Sequence, residues 1–333
     1  NTLNNDYRYI SLINKNRFQK IKFKTSNEYK NILIIPGLAD CIVKKDNNII
    51  WPSNCENISK YNYHSIHKNN NSKLSSIYDL LKSLNYVEES KYNTLPYDFI
   101  NFNISKIIEI FKTLLKENTI IIAYDFGCVV ANLCIQMLDD DDKKLIDKLL
   151  LICPTNGGIP LSFKEYLNGN ELLSSEFTSK CDTNILSFPN NKIYKNDPII
   201  IYNNIKYSSN NLPKLINDNL NINFNFETQL KLQNLSLENP RVSTIIIGCQ
   251  GYDTPLCYNY SNDLNNTPEN NKTVQEIEIC DGDGVVPYKN ILKLFKLWNS
   301  DINNSCSLRS IRNKDHYTVL KSYDLALIIM SII

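Results

Sequence analysis

The sequence predicts an α/β fold with a mostly parallel central sheet, helices on both faces of the sheet, and an inserted cap. Short apolar segments such as 31–35 and 148–152 have the composition of strands that are buried on both faces. Apolar residues recur at helical spacing in 75–84 and 105–116, with Ser105 expected as a helix N-cap. Buried strands that alternate with amphipathic helices are typical of parallel sheets. At 333 residues, the chain can form one large domain with insertions.

Residues 119–134 combine a buried strand, a sharp turn and an apolar helix. The turn carries small residues at its two ends, Ala123 and Gly127, and Asp125 at its centre. Small residues are needed there because the strand and helix backbones almost touch. This arrangement is typical of the nucleophile elbow, which presents one side chain at the top of an α/β-hydrolase sheet. We therefore expect the α/β-hydrolase fold, with Asp125 in the position that Ser occupies in the esterases of this fold.

The alternation of strands and helices divides the chain into a core, which is made of two separate segments, and a cap. Residues 1–160 form the first part of the core, with a lid or membrane-contact loop at about 38–75. In residues 161–240 this alternation stops, and the sequence becomes polar and Asn-rich. Because a long insertion in a compact domain is usually functional, we expect 161–240 to cap the active-site face. Residues 241–333 complete the core.

Three residues fit the catalytic order of this fold, which runs nucleophile, acid, histidine. They are Asp125, Asp283 and His316, each placed after an expected strand. Asp283 would accept a hydrogen bond from the His316 ring and orient it. The alternative interpretation is that the Asp-Gly-Asp-Gly segment around Asp283 forms only a turn. The other two histidines, His64 and His67, lie in a polar segment and are expected at the surface.

Composition and charge argue against several classes of protein. Lys plus Arg number 36 against 35 acidic residues, and no basic stripe with interleaved aromatic residues is present, so we expect no nucleic-acid partner. We expect no cofactor and no metal, because the acidic run 139–142 has the pattern of a solvated helix end. No segment approaches the roughly 18 apolar residues that a membrane span requires. The apolar segment 325–333 is expected to be a closing helix.

The start of the chain and its cysteines indicate a compartment. The chain begins at Asn1 rather than Met and contains ten cysteines. A signal peptide removed from the N-terminus and an oxidising environment would account for both features. We therefore expect a protein that is secreted or lumenal, in the secretory or endolysosomal pathway.

Several short motifs together are more specific than the elbow alone. They are Ile-Ile-Pro-Gly at 34–37, Cys41 with Trp51 and Cys55, Tyr97-Asp98, Ala-Tyr-Asp-Phe-Gly-Cys at 123–128, Pro-Thr-Asn-Gly-Gly at 154–158, Asp-Gly-Asp-Gly-Val-Val at 281–286, Trp298, and Asp315-His316. Over roughly residues 30–333, the chain resembles the lecithin:cholesterol acyltransferase family, which includes lysosomal phospholipase A2.

The resemblance implies an enzyme that moves an acyl chain from a phospholipid to water or to a hydroxyl acceptor. The expected partners are a phospholipid or other acyl lipid and a membrane surface. The backbone N–H groups of Leu38 and Phe126 would be the oxyanion donors. Cys41 and Cys55 resemble the lid disulfide that frames an interfacial tryptophan, here Trp51 pointing outward. From the residues alone, two unpaired buried thiols remain the alternative.

Departures from the family pattern cluster at the catalytic positions. Asp125 replaces the nucleophilic serine, and Tyr124 replaces the histidine that precedes it in the family. Phe99 and Ile100 stand where the family usually has Trp-Arg. Phe295 replaces a cysteine, so one family disulfide is expected to be missing.

Asp125 changes the chemistry that the site can perform. A carboxylate has no proton to give to His316, and its charge opposes a developing oxyanion. We therefore expect an ion pair between Asp125 and His316, weak or lost acyl transfer, and a lipid-binding or scaffold role. One alternative is an active phospholipase or O-acyltransferase, and a related one is that residue 125 is Ser in the native protein. A second alternative is an Asp-nucleophile hydrolase of the epoxide-hydrolase or dehalogenase type, with Tyr194 and Tyr202 as candidate donors to the leaving group.

Overall fold

The computed structural model describes the chain in eleven ranges, which are 7–14, 17–24, 30–45, 48–51, 65–68, 72–170, 174–179, 181–220, 226–261, 274–300 and 305–333. Their strands are β1 (Tyr7–Asn14), β2 (Arg17–Lys24), β3 (Asn31–Ile35), β4 (Cys41–Lys45), β5 (Asn48–Trp51), β6 (Ser65–Lys68), β7 (Tyr92–Thr94), β8 (Thr119–Tyr124), β9 (Ile146–Ile152), β10 (Pro198–Tyr202), β11 (Ile205–Ser208), β12 (Thr244–Gln250), β13 (Tyr252–Tyr260), β14 (Val274–Gly282) and β15 (Cys306–Arg312).

The helices in the same ranges are α1 (Ser75–Ser83), α2 (Ile104–Leu114), α3 (Phe126–Gln136), α4 (Asp140–Lys144), α5 (Pro160–Asn168), α6 (Ser175–Thr178), α7 (Asp182–Leu186), α8 (Asn191–Tyr194), α9 (Leu212–Leu220), α10 (Phe226–Ser236), α11 (Tyr288–Trp298) and α12 (Tyr323–Ile332). A 3-10 helix, Thr318–Lys321, precedes α12. No helix in the described ranges is both long enough and apolar enough to cross a membrane.

The central sheet has six strands in the order β15-β12-β9-β8-β3-β7. Every neighbouring pair in it is parallel, which confirms the mostly parallel sheet that the sequence predicts. The strand order reverses at β3, since β7 lies on one side of β3 and β8 on the other. In open parallel sheets, the crevice at the carboxyl ends of the strands on either side of such a reversal is the usual place for a ligand.

Two apolar cores cover the two faces of the central sheet. In β8, which is buried along its whole length, Ile121 and Ala123 belong to the core that α2, α3 and α11 share. Ile120, Ile122 and Tyr124 point to the other core, which α1 and α12 complete. Because both faces are covered, the strand has a continuous apolar run from Ile120 to Ala123 rather than apolar residues at alternate positions.

The segment 161–240 lies between β9 and β12, and none of its described residues joins the central sheet. The sequence suggests an irregular chain there, whereas the structure has helices α5 to α10 and the antiparallel pair β10 and β11. A second sheet, of order β11-β10-β13-β14, joins this segment to the second part of the core. The sequence does not predict β13, because its Tyr, Asn and Pro residues interrupt any apolar run.

The predicted lid, about 38–75, contains the described strands β4, β5 and β6, which form an antiparallel sheet. Trp51 does not point outward as expected. It is only 4% exposed, its Nε1–H donates to the Ala39 carbonyl at 2.7 Å, and its ring packs edge-on against Phe99 at 5.5 Å. A hydrogen-bonded, buried indole cannot anchor the chain in a membrane interface, so the outward Trp51 is corrected to a core residue.

The predicted disulfide falls partly outside the described residues. Cys41 is buried, and no disulfide joins any two described cysteines. Cys55 lies outside the described residues, so its pairing with Cys41 stays a prediction. At the N-terminus, β2 pairs antiparallel with β1.

Candidate active site

Asp125 lies at the junction of β8 and α3, in the sharp turn that the sequence predicts. Its backbone has φ 54° and ψ −126°, a conformation that residues with a Cβ rarely adopt and that is found mainly at functional sites. A Cβ added at Gly127 would overlap the carbonyl oxygens of Pro36 and Ile35. The helix therefore starts in direct contact with the end of β3, and only glycine fits at the second position after Asp125.

The two oxygens of the Asp125 carboxylate have different partners. Oδ2 accepts a hydrogen bond of 2.9 Å from the backbone N–H of Leu38, which follows β3. Oδ1 lies 3.6 Å from Nε2 of His316. The Leu38 N–H is one of the two oxyanion donors that the resemblance implies, and in this structure the carboxylate already uses it. The second implied donor is the backbone N–H of Phe126. Phe126 is the first residue of α3, where a backbone N–H has no acceptor within the helix.

Asp283 and His316 form a buried pair beside Asp125. Nδ1 of His316 lies 2.8 Å from Oδ2 of Asp283, and the side chains are 0% and 3% exposed for Asp283 and His316. Oδ1 of Asp283 accepts from the N–H groups of Val285 at 2.9 Å and Val286 at 2.6 Å. The structure thus brings together Asp125, Asp283 and His316 in the order that the sequence suggests, and the segment around Asp283 does more than form a turn.

Tyr124, which the sequence marks only as a departure from the family, supports the histidine. Its hydroxyl donates to the carbonyl oxygen of His316 at 2.9 Å, and the two rings lie 5.1 Å apart. The backbone N–H of His316 donates to the carbonyl oxygen of Asp283 at 2.9 Å. The loop that carries His316 is therefore held from two sides. No sequence motif indicates this role, because the two residues are 192 positions apart.

The charges of the site follow from two carboxylates around one imidazole. Burial opposes the charge of His316, but Asp283 and Asp125 raise its pKa to about 10. Burial would also raise the pKa of Asp125, yet His316 and the Leu38 N–H outweigh burial and lower it. At neutral pH the site therefore holds an imidazolium between two carboxylates. The expected ion pair of Asp125 with His316 is present, but at 3.6 Å it is longer than a hydrogen bond.

Lys73 and Tyr317, which the sequence does not single out, lie next to His316. Nζ of Lys73 lies 4.6 Å from the ring centroid of Tyr317, and that ring stands edge-on to His316 at 5.4 Å. Asp40 accepts from the Lys73 N–H at 3.1 Å and from the Ser72 hydroxyl, which anchors this segment beside β3. The Asp125 side chain is 16% exposed, compared with 3% for His316.

Of the remaining predicted residues, the structure describes His67, Tyr194 and Tyr202 but not His64. His67 lies in β6, and His64 lies outside the described residues. The Tyr194 hydroxyl donates to the carbonyl oxygen of Gly158 at 3.0 Å and contacts the Asn290 amide. Tyr202 lies in β10 and is 5% exposed. Tyr194 is thus engaged in the core rather than directed at a leaving group.

No protein-family model matches the chain, and no curated protein sequence is significantly similar to it. Solved structures are similar in shape. A chain of the Tle4–Tli4 complex has a TM-score of 0.55 at 7% identity, over 91% of this chain and 98% of that one. A bromoperoxidase from Bacillus anthracis has a TM-score of 0.39 at 9% identity, over 98% and 99%. A carboxylesterase from Nitrososphaera gargenis has a TM-score of 0.36 at 9% identity, over 91% and 89%.

The strand order, the elbow at Asp125 and the buried Asp283–His316 pair define the class of protein. The chain has the α/β-hydrolase fold, as the sequence predicts. The similarity to the Tle4–Tli4 chain concerns this fold alone, since so low an identity carries no information on substrate.

Proposed function

We propose that the chain is a lecithin:cholesterol acyltransferase-like α/β-hydrolase that binds a phospholipid or other acyl lipid and whose acyl-transfer or hydrolytic turnover is weak or lost. One observation carries this proposal, the 2.9 Å hydrogen bond from the Leu38 N–H to Oδ2 of Asp125. Acyl transfer needs this donor for the oxyanion that develops on the substrate. Here a fixed carboxylate takes the donor and places a negative charge at the same point.

The protonation of His316 supports the same conclusion. A general base needs a free lone pair, and its pKa should lie near the working pH. The carboxylates of Asp283 and Asp125 raise the pKa of His316 to about 10, so the imidazole is already charged at neutral pH. Replacing Asp125 by serine removes one of these carboxylates. The same change removes Oδ2, the oxygen that accepts from the Leu38 N–H. Both obstacles to acyl transfer therefore come from a single residue.

The lipid part of the proposal is supported by the motifs between residues 30 and 333. The Asp125 side chain is 16% exposed, so it is not sealed from solvent. The burial of Trp51 removes the one residue expected to anchor a membrane interface. A membrane surface as partner, and a secreted or lumenal location, are proposed on the strength of the family resemblance alone.

The test is release of labelled fatty acid from phospholipid in anionic liposomes. We compare the native chain, Asp125→Ser, and the double variant Asp125→Ser/His316→Ala, after circular dichroism has shown that all three are folded. We expect release by Asp125→Ser alone, because only that variant has a hydroxyl nucleophile, a free Leu38 N–H and a histidine.

Two outcomes would contradict the proposal. Turnover by the native chain that is lost in a fourth chain, the single variant His316→Ala, would mean that Asp125 supports acyl transfer after all. No release by any of the three folded variants would exclude phospholipid as the substrate class.

The contacts of Asp125 favour one second candidate, displacement at an alkyl carbon. In such a reaction one oxygen of Asp125 forms an ester with the alkyl carbon while the bond from that carbon to a halide or to an epoxide oxygen breaks. The halide leaves as an anion, whereas the epoxide oxygen takes up a proton from water. The other oxygen becomes the ester carbonyl, and Oδ2 already accepts from the Leu38 N–H, as that carbonyl would need to. Esterification removes the charge of Asp125, so the pKa of His316 falls and the imidazolium can release its proton to solvent. The neutral His316 can then take a proton from the water that attacks the ester.

A trapped intermediate tests this second candidate. In His316→Ala the ester should form and persist, because no base activates water. We expect the peptide containing Asp125 to gain the mass of the alkyl group after incubation with styrene oxide or 1-iodobutane. The matched control, Asp125→Asn/His316→Ala, should gain nothing. An unmodified Asp125 peptide with both probes would contradict this candidate.

A further inference from the structure

A third ligand-bearing side chain lies next to the buried acid–histidine pair and has no role in acyl transfer. Cys153 directly follows β9, and its backbone N–H donates to the Ile247 carbonyl at 2.9 Å. Its Sγ, a carboxylate oxygen of Asp283 and a ring nitrogen of His316 all lie within 4.8 Å of one another. The three residues are 0%, 1% and 3% exposed.

We propose that Cys153, Asp283 and His316 form a zinc-binding site that blocks the catalytic histidine. A thiolate, a carboxylate and an imidazole are the three types of ligand that zinc takes from proteins. Magnesium and calcium prefer sites made of oxygen alone, so a site with sulfur and nitrogen favours zinc or a similar divalent transition metal.

The three ligands are held in place by surrounding groups. Oδ1 of Asp283 is bound by two backbone N–H groups, which leaves Oδ2 facing His316. The Tyr124 hydroxyl and the Asp283 carbonyl fix the backbone of His316. Sγ of Cys249 lies 3.6 Å from Sγ of Cys153 and can donate to a thiolate there. Outer groups of this kind orient metal ligands and commonly set the affinity.

The local charge also suits a cation. Asp125 and Asp283 both face His316 and stabilise a positive charge on it. The Cys153 thiolate and the Asp283 carboxylate would offset the two positive charges of a bound Zn²⁺ in this buried site.

Zinc in this position would replace the hydrogen bond between Asp283 and His316. A ring nitrogen bound to the metal could not also bond to Asp283, so His316 would lose the contact that orients it toward Asp125. The ion would therefore block any reaction at the elbow. This last consequence rests on the proposed function, whereas the binding of zinc does not.

The first experiment is a titration of the metal-free full chain with Co²⁺, followed by displacement with Zn²⁺. We expect one equivalent of Co²⁺ to produce a thiolate-to-metal charge-transfer band in the near ultraviolet. Cys153→Ser should lose that band and bind Zn²⁺ more than about tenfold more weakly. The matched control is Cys306→Ser, in β15, which should keep both the band and the affinity.

The second measurement uses the unaltered chain, so it does not depend on the folding of any variant. X-ray absorption of the protein with one equivalent of Zn²⁺ should show at least one sulfur ligand among nitrogen or oxygen ligands. The inference is overturned by the lack of a charge-transfer band, by a band that persists in Cys153→Ser, or by a zinc shell without sulfur. Since none of these readouts uses turnover, they are independent of the liposome assay.

Discussion

At Asp125 the backbone adopts φ 54° and ψ −126°, although the side chain there is a carboxylate rather than a hydroxyl. The strand, the turn and the helix impose this conformation whichever side chain they present. The side chain then decides the chemistry, because Oδ2 takes the Leu38 N–H and the charge raises the pKa of His316. The Asp125 side chain thus determines both the partner of the Leu38 N–H and the charge of His316.

The close approach at Gly127 leads to a stability prediction. Gly127→Ala would place a Cβ against the carbonyl oxygens of Pro36 and Ile35, which are backbone atoms and cannot rotate away. We expect a loss of about 1–3 kcal/mol in the free energy of unfolding, measured by urea denaturation.

The matched control is Gly284→Ala, where no atom lies within 4 Å of an added Cβ and φ is 89°. Only the cost of the left-handed backbone applies there, about 1 kcal/mol. If Gly127→Ala were no more destabilising than this control, the result would contradict a close contact between the start of α3 and the end of β3.

At the scale of elements, the sequence predicts where a helix lies more accurately than it predicts the residue at which the helix begins. The spacing of apolar residues predicts a helix over 105–116 with Ser105 as N-cap, whereas α2 begins at Ile104 and Asn103 is the N-cap. Oδ1 of Asn103 accepts from the Lys106 N–H at 3.2 Å. Asn and Ser are equally good N-caps, so the sequence cannot choose between them. The turn before the helix, in which Asp98 accepts from the Ile100 and Asn101 N–H groups, selects the earlier one.

Strands are predictable from the sequence where burial on two faces gives a continuous apolar run. The core strands β3, β8, β9 and β12 each contain such a run, with polar or charged residues toward their ends, such as Asp147 and Lys148 in β9. The antiparallel strands β13 and β14 are different, since each has exposed positions and polar residues. Their stability comes from pairing with each other and with β10. Pairing between segments is a tertiary property, so a local pattern does not reveal it.

At the scale of the whole molecule, the segment between β9 and β12 is tied to the core by polar contacts. Oδ2 of Asp197, which precedes β10, lies 3.0 Å from Nζ of Lys289 and 3.5 Å from Nζ of Lys293 on α11. On α3, the Asn132 amide donates to the carbonyl oxygens of Ser236 at 2.7 Å and Glu238 at 2.8 Å. These contacts join residues about a hundred positions apart, so they fix how the segment sits on the sheet.

The ion pair of Asp197 leads to a pH-dependent prediction. Burial would raise the pKa of Asp197, but Lys289 and Lys293 outweigh it and lower the pKa. A lowered pKa in the folded state adds stability that is present above the unfolded pKa of about 4 and is lost as the pH falls through the folded value. The side chain is 35% exposed, so we expect Asp197→Asn to cost at most about 1 kcal/mol at pH 7.

Urea denaturation of the native chain and Asp197→Asn at pH 7 and at low pH measures this effect. The difference should shrink toward zero well below pH 4, where the native carboxyl is protonated. Asp141→Asn is the matched control, because its side chain is 91% exposed, and it should change little at either pH. An equal cost of Asp197→Asn at both pH values would mean that lost packing rather than charge explains it.

The sequence by itself determined the parallel sheet, the elbow with Asp125 at its centre, and the chain order of Asp125, Asp283 and His316. These features depend on local patterns, namely apolar runs, small residues at a turn, and the position of a residue after a strand. Only the tertiary structure decided that Oδ2 of Asp125 takes the Leu38 N–H, that Tyr124 holds His316, and that Cys153 lies beside Asp283. Leu38 and Asp125 are 87 positions apart, and Tyr124 and His316 are 192 apart. Such contacts arise because parallel strands bring their carboxyl ends together, which no local stretch of sequence encodes.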